Sequence, residues 1–123
     1  MKQKSAYLIV NPRVGKQIVR QDLQAPPAGA IYGITHFAIV PDRVDDFRAA
    51  LLKYTEATRQ AVGNLRYFPA QDTSRPNHFS VVEMWKDQAS EEAYEAAGPS
   101  KGFRASWAPI TGPHYDRRWY KAL

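Results

Sequence analysis

The chain of 123 residues contains no cysteine. That removes disulfides, thiolate nucleophiles and cysteine-based zinc sites, and says nothing of compartment. Histidine is scarce: His36, His78 and His114 stand far apart, with no carboxylate at metal-ligand spacing, so no metal site is expected. Long apolar runs are missing as well. Tyr7-Leu8-Ile9-Val10 is among the longest, against the roughly 20 residues that cross a bilayer. The basic start Met1-Lys2-Gln3-Lys4 leads into a stretch that breaks at Asn11-Pro12-Arg13, so the expectation is a cytoplasmic protein with neither export signal nor membrane contact. There is no Ser-His-acid arrangement, no Gly-rich phosphate loop and no dinucleotide fingerprint.

The net charge of +5 is unevenly spread. Residues 1–30 carry five basic side chains and one acid, residues 101–123 carry the same, and the middle is net negative. Only Arg117-Arg118 followed by Trp119-Tyr120 resembles the basic-aromatic clustering of a nucleic-acid surface, so no nucleic-acid partner is expected. A chain of this length fits one domain with one core. Residues 1–30 read as an arm, with turn chemistry at Asn11-Pro12 and Ala25-Pro26-Pro27-Ala28-Gly29 and a short strand candidate at Tyr7–Val10 that could add to a sheet edge. Residues 31–123 read as the domain.

From Ile31 the pattern is regular. Ile34–Val40 predicts a strand ending at Pro41-Asp42. A helix follows, with Asp42 as its cap, Asp45 and Asp46 in the first turn, and Val44, Phe47, Leu51, Tyr54, Thr58 and Val62 at helical spacing until Gly63-Asn64. Leu65–Gln71 predicts a second strand, placed at an edge or bulge by Pro69. A polar turn then leads into a third strand, His78–Lys86. Asp87 caps a second helix, Gln88–Ala97, with Glu91, Glu92 and Glu95 on a wet face, and Gly98-Pro99 breaks it. Lys101–Ala108 predicts a further helical turn or two, and Tyr115–Leu123 a fourth strand with Tyr115, Arg117 and Trp119 opposite Asp116, Arg118 and Tyr120. The order strand, helix, strand, strand, helix, strand gives an α+β fold of ferredoxin-like βαββαβ topology with an antiparallel sheet.

The third strand carries the most information. Alternation places Phe79, Val81, Glu83 and Trp85 on one face and Ser80, Val82 and Met84 on the other. Both faces are apolar apart from Glu83, so both should be covered. Two helices cover one face of a four-stranded sheet, and a second copy is expected on the other. A buried carboxylate needs partners. Glu83 is either a core pair with Trp85, bonded to backbone or to an arginine such as Arg66 or Arg104, or part of a site.

Three segments in register, Gly63-Asn64-Leu65-Arg66-Tyr67, Phe79-Ser80-Val81-Val82-Glu83-Met84-Trp85-Lys86-Asp87 and Phe103-Arg104-Ala105, resemble the antibiotic biosynthesis monooxygenase family over about Ile31 to Tyr120. The resemblance implies a homodimeric α+β barrel with a pocket between sheet and helices in each subunit. It also implies oxygenation of a quinol-like or polycyclic phenolic compound by O₂ with no cofactor, neither metal nor flavin. Departures from the family pattern are plain. Tyr94 and Pro99 stand where quinol-oxidising relatives carry histidines, and Val81 and Glu91 where anthrone oxygenases carry Asn and Tyr. Thr35 and Trp107 stand where haem-degrading relatives carry Asn and His.

His36, Trp85 and Tyr94 are accordingly the candidate catalytic residues: His36 as proton carrier, Trp85 as pocket wall, Tyr94 as a hydroxyl that orients a phenol in place of the usual His. Tyr54, Tyr67, Val81, Glu83, Phe103 and Trp107 are the candidate substrate-binding residues. The alternatives are a non-catalytic module that binds an aromatic metabolite, or a polyketide cyclase or isomerase, on the same barrel.

Overall fold

A computed structural model describes residues 26–112 and 115–123 of the protein. The strand candidate in the arm and His114 lie outside the described residues. The elements follow in the order β1 (Ile31–Ala38), a short 3-10 turn (Pro41–Arg43), α1 (Val44–Arg59), β2 (Asn64–Gln71), β3 (His78–Trp85), α2 (Gln88–Glu95), α3 (Gly98–Trp107), a second 3-10 turn (Ala108–Ile110) and β4 (Asp116–Lys121). The strands form one antiparallel sheet in the order β2-β3-β1-β4. This is the ferredoxin-like arrangement that the element order predicts.

Local chemistry accounts for most of the boundaries. Pro69 lacks an N–H to donate, and β2 takes the edge of the sheet, where that lack is tolerated. Gly63 turns the chain into β2 at φ 87°, and a Cβ there would stand 2.5 Å from Ser90. Asp87 caps α2 by accepting from the Ser90 N–H at 2.8 Å.

Several expectations are corrected. Asp42 does not cap α1, because Pro41–Arg43 tightens into a 3-10 turn and the helix proper starts at Val44 without a side-chain cap. The helix stops at Arg59, so Val62 falls past its end and is 84 % exposed. Gly98-Pro99 breaks α2 but also opens α3, since Pro at a first helical turn gives up an N–H that has no partner there anyway.

The core lies between the sheet and the helices. Phe37, Ile39, Phe47, Leu51, Tyr67, Phe79, Val81 and Ile110 are buried together. Among the described residues nothing covers the opposite face of the sheet: Val82 is 44 % and Phe68 68 % exposed. Register places these two side by side, with Ile34 as the next neighbour of Val82. Among the described residues, the expectation that both faces of β3 are covered thus holds for the helix side alone.

Candidate functional site

The sheet and helices do not close completely, and a cavity of about 250 Å³ remains between them. Its floor comes from the inward positions of three strands: Thr35 and Phe37 of β1, Val81 and Glu83 of β3, and Tyr67 of β2. Tyr54 of α1 and Ser100, Phe103, Arg104 and Trp107 of α3 form the roof, and Glu95, Tyr115 and Arg117 close one side. The roof is a ring assembly. Phe103 lies flat on Tyr54 with centroids 4.3 Å apart, Tyr54 meets Tyr67 edge-on at 5.7 Å, and Trp107 stacks on Tyr115 at 4.8 Å.

One side of the cavity is strongly charged. Glu83 Oε1 accepts from Trp85 Nε1 at 2.8 Å, and Oε2 faces Arg117 Nη2 at 3.7 Å. Arg117 also pairs with Glu95 at 3.2 Å and Glu91 at 3.5 Å, both from α2, and Arg104 of α3 bonds Glu95 from the other side. Three carboxylates therefore share two guanidiniums. Among the described residues no group of His, Asp or Glu side chains is arranged to hold a metal ion.

A glycine makes this cluster sterically feasible. Gly33 is the cross-strand neighbour of both Glu83 and Trp119. A Cβ at Gly33 would stand 2.6 Å from the Trp119 ring and 3.0 Å from Glu83 Cγ. The missing side chain lets Trp119 lean over β1, and the Arg117 guanidinium rests 4.9 Å from the centroid of that ring.

Burial sets the protonation of these groups. Desolvation raises the Glu83 carboxyl above its ordinary range, against the pull of the Trp85 hydrogen bond and of Arg117. Desolvation likewise pushes Glu91 up to about 7, with Arg117 opposing it and Glu95 and Glu83 adding to it. For Arg117 burial works downward, yet Glu83 and Glu95 outweigh it and the net direction is up, so the guanidinium stays charged. Burial raises the Tyr54 and Tyr67 phenols strongly and the Tyr115 phenol as well, which keeps them neutral donors.

The six candidate substrate-binding residues, Tyr54, Tyr67, Val81, Glu83, Phe103 and Trp107, all line the cavity. The three candidate catalytic residues do not. Trp85 is 1 % exposed and stands behind Glu83, its ring 5.3 Å from Tyr94. Tyr94 backs the roof, stacked against Tyr54 at 5.8 Å with its hydroxyl 3.0 Å from Thr58 Oγ1. His36 points from the opposite face of the sheet, its Nδ1 2.7 Å from Ser80 Oγ. The sheet itself separates that imidazole from the cavity.

Two further corrections concern charge. Glu83 is paired by Trp85 and Arg117, not by Arg66 or Arg104. Glu91 and Glu95 are not on a wet face: Glu91 is buried, Glu95 is half-buried, and both turn toward Arg117. Arg117, Glu91 and Glu95 are the members of the charge cluster that sequence reasoning missed. The available signal was Gly33 in mid-strand, which marks a close approach of neighbours.

A family model described as antibiotic biosynthesis monooxygenase matches residues 30–106. The chain belongs to the antibiotic biosynthesis monooxygenase family. No curated protein sequence matches it significantly. Among solved structures, an antibiotic biosynthesis monooxygenase is similar with a TM-score of 0.72 at 22 % identity, over 76 % of this chain and 98 % of that one. A Methanosarcina mazei protein gives 0.72 at 19 % identity, over 76 % and 93 % of the two chains. A Mycobacterium tuberculosis protein gives 0.73 at 16 %, over 77 % and 96 %. At such identities the likeness speaks for the shared fold. The family model covers the cavity floor and most of its roof, and Trp107, Tyr115 and Arg117 lie beyond its matched span. No helix among the described residues is long and apolar enough to cross a membrane.

Proposed function

We propose that this family member is a cofactor-independent monooxygenase that holds a quinol-like or polycyclic phenolic compound in the cavity and lets it react with O₂. The observation that carries the reading is an aromatic cavity with a buried carboxylate in its wall. A phenol that has lost its proton can pass an electron to O₂ by itself, so the protein need only exclude water, hold the ring and move a proton. Tyr54, Tyr67, Phe103 and Trp107 supply the walls for the ring. The size of the cavity favours the smaller members of the substrate class, since a cavity of about 150 Å³ already holds benzene and this one measures about 250 Å³.

A second copy of the chain is the proposed cover for the open face of the sheet, with Phe68, Val82 and Ile34 at the centre of the contact. Association would leave the cavity on the far side of each sheet in place.

One observation favours a second reading, a module that binds an aromatic metabolite without turning it over. Tyr94 and Pro99 occupy the positions where quinol-oxidising relatives carry histidines, and neither lines the cavity. Oxygen consumption decides between the two. With a panel of benzene and naphthalene hydroquinones and anthrones, the monooxygenase consumes O₂ above the buffer rate and its product gains an oxygen atom. Binding of the matching quinones with no O₂ uptake would leave the binding module. A product that has lost water, or is isomeric with its substrate, would mark a cyclase or isomerase.

A further inference from the structure

We propose that the Glu83 carboxylate takes the phenolic proton of a ligand in the cavity, and that the Arg117 guanidinium holds the phenolate so formed. This rests on the reading of the cavity as a site for hydroxylated aromatic compounds and names the two groups that ionise them.

Elimination and geometry both lead to Glu83. Two carboxylates line the cavity, Glu83 and Glu95. Both oxygens of Glu95 are engaged, by Arg117 and Arg104. Of Glu83, Oε1 is fixed by Trp85 Nε1, and Oε2 stands 3.7 Å from Arg117 Nη2, beyond hydrogen-bond length. A ligand oxygen on the cavity side of that gap can reach both groups. The lining tyrosines are poor competitors as bases: Tyr54 shares its hydroxyl hydrogen bond with Ser100 Oγ at 2.8 Å, and burial holds Tyr54, Tyr67 and Tyr115 neutral.

Charge conservation explains why transfer is feasible in a buried site. The phenol O–H bond breaks with its electron pair left on the ligand oxygen, and a new O–H bond forms on Glu83, so the net charge of the cavity does not change. Arg117 exchanges one anionic neighbour, the carboxylate, for another, the phenolate. Glu91, Glu95 and the Trp119 ring keep the guanidinium in place meanwhile. Burial also raises the Glu83 carboxyl toward the phenol range, which shrinks the mismatch between donor and acceptor.

The test uses para-nitrophenol, whose ionised and neutral forms absorb at different wavelengths and which O₂ does not oxidise. The full-length protein is expected to bind the dye as phenolate at a pH where the free dye is mostly neutral, an increase of at least about tenfold in its ionisation constant. Arg117→Met should abolish the shift, with the bound dye neutral. Glu83→Gln keeps an acceptor for Trp85 but has no place for the proton. Calorimetry in two buffers of different ionisation enthalpy should then show about one more proton released per bound dye than in the parent protein. A neutral dye in the parent protein, no binding of the dye, or equal proton release by the parent and Glu83→Gln would each overturn the assignment. Should Arg117→Met fail to fold, the parent spectrum and Glu83→Gln still decide. A dye bound as phenolate by a protein without O₂ uptake would remove the monooxygenase reading and leave this one standing, whereas O₂ uptake with a neutral bound dye would do the reverse.

Discussion

The two faces of β3 differ by one residue of register and by almost everything else. Phe79, Val81, Glu83 and Trp85 face the helices and are buried, among rings and an ion-pair cluster. Ser80, Val82 and Met84 face away and are partly or fully open in the single chain. A pleated strand thus puts the ion-pair cluster and the rings on one side and leaves more exposed side chains on the other. Substitutions on the two sides should therefore fail differently, and those differences test the comparison.

The largest effect is expected at Trp85. Its ring is fully buried and its Nε1–H is a hydrogen-bond partner of the buried Glu83 carboxylate. Trp85→Ala should cost about 3–5 kcal/mol from lost packing, with a further penalty for the unpartnered carboxylate. Urea unfolding measures it, and a loss under about 1 kcal/mol would show that the helix side of β3 is not the rigid side.

On the other face, Val82→Glu places a charge where the single chain is already open, so the fold should lose no more than about 1 kcal/mol. Association should suffer far more, because two copies meeting through this face would bury the new carboxylates against apolar surface. Light scattering should show the dissociation constant weakened at least about a hundredfold, some 3 kcal/mol. A dimer of unchanged affinity would mean that copies meet elsewhere, and a monomeric parent protein would mean that they do not meet at all.

How far these features can be read from sequence depends on how local their causes are. The strands, α1, the edge position of β2 and the Asp87 cap follow from neighbours a few residues apart, and the sequence announces them. The apolar and aromatic part of the cavity was legible for a similar reason: alternation on β3 and helical spacing on α3 place Val81, Glu83, Phe103 and Trp107 on inward faces. The charge cluster was not. Glu91 and Glu95 read as solvated because a short helix rich in acids offers no apolar stripe, and the arginine that draws them inward lies on β4, more than 20 residues further on. His36 misled for a related reason: periodicity gives its strand face but not which face the helices will cover. The family pattern placed Tyr94 by alignment to a histidine, and the stacking of Tyr54 over it turns its hydroxyl to Thr58 instead.

The smallest of the expected effects probes the charged wall itself through pH. The folded protein holds the Glu91 proton up to about 7, against an ordinary value of 4.5. Between those values the folded state binds more protons than the unfolded chain, so unfolding free energy falls as pH rises. The contribution is complete below about 4.5, lost progressively up to about 7, and flat above. Because Glu91 shares Arg117 with Glu83 and Glu95, so that the three carboxylates titrate together, the loss should be about 1–2 kcal/mol. Glu91→Gln is neutral at every pH and removes this slope. The variant should match the parent in acid and exceed its stability by that amount above neutrality, leaving only the slope contributed by Glu83, whose carboxyl burial also raises. Unfolding curves at pH values from 4 to 8 measure both proteins. If the two slopes coincide, Glu91 is ionised throughout, and the charged wall carries one more negative charge than the structure implies.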